Sequence, residues 1–171
     1  MNIKQYKQFK FQFNDYSLLD IKLQYPISYI AKFFDDAFRH IYLFGTIEFI
    51  KKLKNFEQSG MSSEMISLDI DNENNLVYIS EPYENSIQKI TPEIDELIEA
   101  QATIELCHKD FIGYTTMTQE NLFHLLLLWK EFVDKRASYI LIYLDDKDWF
   151  DLMPFQTQEE MEQFIADHTK K

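Results

Sequence analysis

Glycine, proline and cysteine are scarce in this chain of 171 residues, which contains 3 Gly, 4 Pro and 1 Cys. With only Gly45, Gly60 and Gly113, neither a G-x-G-x-x-G nor a G-x-x-x-x-G-K-[ST] loop can be assembled. Nucleotide-binding folds of those two types are therefore excluded. The lone Cys107 cannot form an internal disulfide, and the first residues contain no apolar signal-peptide segment. We expect a protein of the reducing cytoplasm.

Long hydrophobic runs are also missing. The longest, Leu122 to Trp129, has eight residues and includes a histidine, whereas a helix that spans a bilayer needs about 20 apolar residues. Hydrophobic residues nevertheless make up 46% of the chain and aromatic residues 16%, which is ample material for a packed core. We therefore expect residues 1–171 to form one folded domain, and we expect no contact with membrane.

Basic residues are few and unevenly placed. The chain has 17 Lys and Arg against 29 Asp and Glu, a net charge of −12. Residues 1–60 carry 9 basic and 6 acidic side chains, which leaves 8 basic and 23 acidic for residues 61–171. Nucleic acid and anionic lipid bind through Lys and Arg, so both are poor partners for such a surface. A basic protein is a better one, although a surface that only keeps the chain soluble has the same composition.

Alternation of apolar and polar residues predicts three β-hairpins. The first pairs residues 9–13 with 19–25 across Asn14 and Asp15. The second pairs 66–70 with 76–79 and carries an acidic outer face. The third pairs 139–144 with 149–153. The run 139–144 is apolar on both faces, which is typical of a central strand covered on both sides.

Helical spacing separates the hairpins. Apolar residues recur at i, i+3, i+4 and i+7 from Ile30 to Ile41, and a second piece follows over 47–53. Thr91-Pro92 resembles a helix start, Thr118 a cap for a helix to about Lys135, and Thr157-x-x-Glu160 a capping box. We predict an α+β fold: a single domain with a largely antiparallel sheet built from β-hairpins and packed with four to five helices. Whether Thr103 to Cys107 is helix or strand stays open.

Motifs for metals and cofactors are not evident. Cys107-His108 has no second ligand pair, and the run that starts at Asp69 lacks the glycine and the final glutamate of a calcium loop, with Asn74 and Ser80 in those places. We therefore expect no metal, no cofactor and no enzyme activity. One alternative remains, a small hydrolase that uses Asp145, Asp146 and Asp148 with a histidine.

The last third of the chain resembles small bacterial immunity proteins, the partners that protect a cell from contact-dependent growth inhibition and related polymorphic toxins. The resemblance covers about residues 117–168: the helix from Met117-Thr118 to Trp129, the strand Tyr139 to Asp146 and the closing helix around Met161. It implies a cytoplasmic inhibitor that binds a cognate toxin, often a nuclease, and occludes its active site.

The resemblance and the charge together suggest which residues contact the toxin. We expect the binding residues to be Asp69, Asp71, Glu73, Glu81, Glu84, Asp145, Asp146, Asp148 and Trp149. Trp149 begins a predicted strand and is equally compatible with the core. A second alternative is an inhibitor that mimics the charge of nucleic acid and binds many basic proteins.

Overall fold

The structure is a computed structural model that describes residues 1–12, 15–19, 26–37, 60–62, 66–80 and 114–169. The strands in this part of the chain are β1 (Ile3–Gln12), β2 (Asp15–Leu18), β3 (Gly60–Ser62), β4 (Ser67–Asp71), β5 (Leu76–Ser80), β6 (Tyr114–Thr118), β7 (Tyr139–Asp145) and β8 (Phe150–Phe155). The helices are α1 (Ile27–Lys32), α2 (Gln119–Asp134) and α3 (Gln158–His168), and α1 continues into a π-helical segment, Phe33–Ala37.

The strands form two antiparallel sheets of four strands each. The first sheet has the order β2-β1-β7-β8 and the second the order β3-β4-β5-β6. The register pairs Phe9 with Ile140 between β1 and β7, and Leu68 with Ile79 between β4 and β5. The predicted hairpins at 66–79 and 139–153 are present as β4–β5 and β7–β8. A hairpin is also present at the first place, as β1–β2, but its second strand is Asp15–Leu18 and not 19–25, so Asp15 belongs to the strand and not to the turn; residues 20–25 lie outside the described residues.

Two of the helices lie between the sheets. Helix α1 contacts β1 and β7 of the first sheet and β5 and β6 of the second, and α2 contacts β8, β5 and β6. One continuous core therefore joins both sheets. It is centred on Trp129, whose ring packs against Phe9, Tyr16 and Phe34 with centroid distances of 5.1, 5.5 and 4.5 Å.

Helix α3 covers the outer face of the first sheet. Met161 and Ile165 pack against Leu141 and Tyr143 of β7, which places β7 between two apolar layers. This arrangement confirms the prediction that the doubly apolar strand is central. The capping box predicted at Thr157 is also present, because its side chain accepts from the Glu160 amide while Glu160 accepts from the Thr157 amide.

The α+β class is confirmed, but two parts of the fold prediction differ from the structure. The described residues form two sheets where one was expected, because the apolar surfaces of α1 and α2 are wide enough to pack against a sheet on each side. They contain three α-helices where four to five were expected. The helical segments expected over 47–53 and from Thr91, and the segment Thr103 to Cys107, lie outside the described residues.

Because glycine is scarce, three residues with a Cβ occupy the left-handed backbone conformation. Asn75, Arg136 and Asp148 adopt φ angles of 56°, 51° and 63°, a region that costs a residue with a Cβ about 1–2 kcal/mol. Arg136 ends α2 in a Schellman arrangement, in which the amide of Ala137 donates to the carbonyl of Phe132 at 3.0 Å.

We predict that Arg136→Gly stabilises the protein by about 0.5–1 kcal/mol, because glycine removes the steric cost of the left-handed conformation. The matched control is Lys135→Gly, one residue earlier, where φ is −81° and helical. There glycine is expected to destabilise by about 0.5–1 kcal/mol. Urea unfolding of the two variants measures both effects, and the same sign in both would contradict this reading of Arg136.

One hydrogen bond between the first hairpin and the end of α2 makes stability sensitive to pH. The Tyr16 hydroxyl donates to the Ala137 carbonyl at 2.5 Å, and the side chain is buried. Burial raises the pKa of Tyr16 from 10.0 to about 12. The folded protein therefore holds a proton that the unfolded chain has lost between these pH values, and unfolding becomes easier as pH rises through that window.

We predict that the free energy of unfolding falls between pH 10 and about pH 12, and that this fall is shallower in Tyr16→Phe. Below pH 10 the substitution itself costs about 1–2 kcal/mol, because the Ala137 carbonyl loses its buried donor. Denaturant titrations at a series of pH values compare the two proteins. Parallel curves above pH 10 would contradict the assignment.

Candidate acidic binding surface

The turn between β4 and β5 is held by one of the predicted binding residues. The Asp71 carboxylate accepts from the backbone amides of Glu73 and Asn74 at 3.1 Å each, and from the Asn74 side chain at 2.7 Å. An aspartate that accepts from the next two or three amides stabilises a tight turn. Asp71 is thus both a structural residue and a carrier of negative charge.

This turn rests on the first turn of α2. The Gln119 amide donates to the Asn75 carbonyl at 3.2 Å, and the Gln119 side chain donates to Asn72 at 3.0 Å. The Asn75 side chain donates to both oxygens of Glu120, at 3.0 and 2.9 Å. The acidic tip of the second hairpin is therefore fixed to the start of this helix.

The turn between β7 and β8 is built in a similar way. One oxygen of Asp145 accepts from the amides of Lys147 and Trp149 at 2.9 and 2.8 Å, and the Asp145 amide donates to the Trp149 carbonyl at 3.0 Å. The buried Asn121 of α2 then holds Phe150 by two hydrogen bonds, to its carbonyl at 2.6 Å and from its amide at 3.0 Å.

Both turns consequently lie at the same end of the molecule, one against Gln119 and Glu120 and the other against Asn121. We call this region the acidic end. Its carboxylates are those of Asp71, Glu73, Glu120, Asp145, Asp146 and Asp148. Its lysines are Lys147 and Lys4, of which Lys4 forms an ion pair of 2.6 Å with Asp148.

The structure brings together most of the residues that the sequence analysis singled out. Asp71, Glu73, Asp145, Asp146, Asp148 and Trp149 belong to the acidic end or border it. Asp69 lies two residues further along β4, opposite Tyr78 on β5. Glu81 and Glu84 lie outside the described residues.

Sequence reasoning missed Glu120. Its own backbone amide, followed by the Asn75 side chain, lowers the pKa of this exposed carboxyl. The signal was in the sequence, because an acidic residue in the first turn after a helix cap is stabilised by the helix dipole. Thr118 is that cap and accepts from the Asn121 amide at 3.2 Å.

A histidine and a carboxylate meet beside the acidic end. His124 Nε2 lies 2.8 Å from Asp151 Oδ1, and the Tyr143 hydroxyl donates to Asp151 Oδ2 at 3.2 Å. Burial, together with the negative charge of Asp151, raises the pKa of Tyr143 well above its usual value. This pairing was not predicted, because α2 and β8 bring its members together from 27 positions apart.

Trp149 is the exposed aromatic residue of this region. Its side chain is 36% exposed, and its ring lies 5.7 Å from the ring of His124, centroid to centroid. Trp149 is therefore a surface residue and not a core residue.

Other acidic side chains of the described chain lie elsewhere. Glu131 and Asp134, at the far end of α2, form ion pairs with Lys135 and Lys130. Helix α3 carries exposed Glu159, Glu162 and Asp167 on the other side of the first sheet.

Within the described residues, no group of three or more His, Cys, Asp or Glu side chains is arranged to hold a metal ion. None of the helices in the described ranges is long and apolar enough to cross a membrane. Comparison with models of known protein families, with curated protein sequences and with solved structures finds no match.

We predict that Asn121→Ala destabilises the protein by about 2–3 kcal/mol, because the buried amide and carbonyl of Phe150 both lose their partner. The matched control is Asn74→Ala, which removes one exposed hydrogen bond and should change stability by less than about 0.5 kcal/mol. Urea unfolding measures both. Equal losses would mean that Asn121 does not hold the β7–β8 turn.

Proposed function

We propose that this chain is a non-enzymatic immunity protein of the cytoplasm, which binds a cognate protein toxin and covers its active-site region with the acidic end. The toxin is a basic nuclease of the kind delivered by contact-dependent growth inhibition. The resemblance of residues 117–168 to such proteins motivates the family, and the charge distribution motivates the mode of binding.

The observation that carries this proposal is the attachment of two acidic turns to one helical turn. Gln119 and Glu120 hold the β4–β5 turn, and Asn121 holds the start of β8. The backbone that carries the acidic side chains is fixed in this way, so the turns need little reordering when they bind. A rigid array of negative charge is what an inhibitor of a basic cleft requires.

The negative charge of the acidic end also favours fast association with the toxin. A nuclease binds phosphate with Lys and Arg, so its active cleft is positive, and a negative surface steers association toward that cleft. Steered protein pairs associate at about 10⁸–10⁹ M⁻¹s⁻¹, against about 10⁵–10⁶ M⁻¹s⁻¹ for neutral ones. A cell that has just received a toxin benefits from this difference, because the toxin acts as soon as it is free.

Persistence of the complex has a different origin. Slow dissociation depends on a few contacts that lose their water, and tryptophan is among the residues most enriched at such positions. Trp149 lies exposed beside Asp148 and near Asp146, so its ring and these carboxylates can contact the partner together.

The test is co-expression of the chain with the protein encoded immediately upstream of it, followed by co-purification and a growth assay. We expect a stable complex and rescue of growth from the toxicity of that protein. The absence of both complex and rescue would refute the proposal. Binding of many unrelated basic proteins would favour instead an inhibitor that mimics nucleic acid.

We predict that Glu73→Gln with Asp146→Asn slows association with the upstream-encoded protein about tenfold at low salt and weakens the dependence of the rate on ionic strength. The control is Glu162→Gln with Asp167→Asn, which removes the same charge from α3 and leaves the rate within about twofold, because α3 is screened from the acidic end. Stopped-flow kinetics at several salt concentrations distinguish the two. Equal effects would show that net charge alone matters.

One observation favours a second candidate, a small hydrolase. His124 and Asp151 form the kind of pair in which a carboxylate orients a general base, at 2.8 Å. The purified protein, assayed with p-nitrophenyl acetate and bis-p-nitrophenyl phosphate, should then show turnover that His124→Gln abolishes. Rates equal to those of buffer would remove this candidate for ester and phosphodiester substrates.

A further inference from the structure

Trp149 is held by its backbone on both sides, and its ring forms an aromatic contact with the ring of His124. Its amide donates to Asp145 and its carbonyl accepts from Asp145, at 2.8 and 3.0 Å. The ring packs against His124 at 5.7 Å, with an interplanar angle of 52°. The imidazole is thus one of the groups against which the indole is oriented.

The imidazole of His124 is itself fixed through a chain of contacts around the edge of the first sheet. Asp151 on the edge strand β8 accepts from the Leu152 amide at 2.8 Å, as well as from His124 and Tyr143. Tyr143 is 2% exposed and packs against Phe164 of α3. Rigid groups under α3 are therefore connected, contact by contact, to an exposed ring beside the acidic end.

Fold stability does not explain this arrangement. The side chains of His124 and Asp151 are 39% and 30% exposed, so water can satisfy both, and partly exposed ion pairs contribute little to stability. The arrangement does restrict the Trp149 ring. A side chain that is already ordered costs less to bind than a mobile one.

We propose that Trp149 is the contact for an arginine side chain of the protein partner and that His124 is the residue that positions it. The indole face attracts cations, and it favours the flat guanidinium of arginine over the ammonium of lysine. Asp146, close to Trp149 in the same turn, supplies negative charge that draws such a cation, together with Asp148, whose charge is shared with Lys4. This inference deepens the proposed function and rests on it for the identity of the partner.

The test uses hexa-arginine and hexa-lysine peptides, which require no toxin, together with ¹⁹F NMR of protein labelled with 5-fluorotryptophan. The chain has 2 Trp, Trp129 and Trp149. The signal that is lost in Trp149→Phe is assigned to Trp149, and the one that remains to Trp129. We expect the wild type to bind hexa-arginine more tightly than hexa-lysine. In Trp149→Ala that preference should disappear, because only the charge remains.

His124→Ala should move the Trp149 signal and leave the Trp129 signal in place, and it should weaken binding of hexa-arginine about two- to tenfold, the effect of freeing one ordered side chain. Tyr143→Phe, which keeps the His124 and Trp149 rings and removes one of the three donors to Asp151, should change the same signal in the same direction by less. The control is Gln163→Ala on α3, which loses one exposed side-chain hydrogen bond, to Asp167. This control should change neither the Trp149 signal nor the affinity for hexa-arginine.

An unchanged Trp149 signal in His124→Ala, or unchanged affinity for hexa-arginine, would overturn the positioning role. Retention of the arginine preference in Trp149→Ala would overturn the contact. If His124→Ala unfolds, Tyr143→Phe decides by the same readouts. Should the peptide results hold while the upstream-encoded protein is not bound, the proposed function alone fails. If that protein is bound equally well by Trp149→Ala, this inference alone fails.

Discussion

The first turn of α2 is the element on which the arrangement of this protein depends. Three consecutive residues hold two different parts of the chain: Gln119 and Glu120 hold the β4–β5 turn, and Asn121 holds the start of β8. Because α2 also lies between the two sheets, this turn fixes their acidic ends relative to each other. The side chains of Gln119 and Asn121 are buried, so each hydrogen bond lost there would leave a costly unpaired group, whereas water can replace the partner of the exposed Glu120.

Alternation, helical spacing and capping residues in the sequence were sufficient to predict several elements of the fold. The hairpins at 66–79 and 139–153, the helix from Thr118 and the capping box at Thr157 agree with the structure, because each follows from alternation, helical spacing or a cap. Strand β1 begins at Ile3, six residues before the predicted start at Phe9, since the buried Lys7 interrupts the alternation on the inner face. Strand β6 was not predicted, because its run of threonines shows little contrast between the two faces.

Features that depend on long-range packing could not be predicted from the sequence. The division into two sheets follows from the placement of α1 and α2 between them, which no local pattern specifies. The pairing of His124 with Asp151, and the support of both by Tyr143, likewise arise only when α2 meets β8. The charge pattern of the sequence located the acidic turns. The hydrogen bond from Asn75 to Glu120 and the exposure of Trp149 are visible only in the fold.

The first turn of α2 holds the acidic end in place, and the proposed function of the acidic end is to capture a basic protein. Hydrogen–deuterium exchange of the complex with the upstream-encoded protein tests this link most directly. Protection should appear in residues 72–75 and 146–150, with α3 unaffected. Protection confined to α3, with both turns exchanging as in the free protein, would contradict the account.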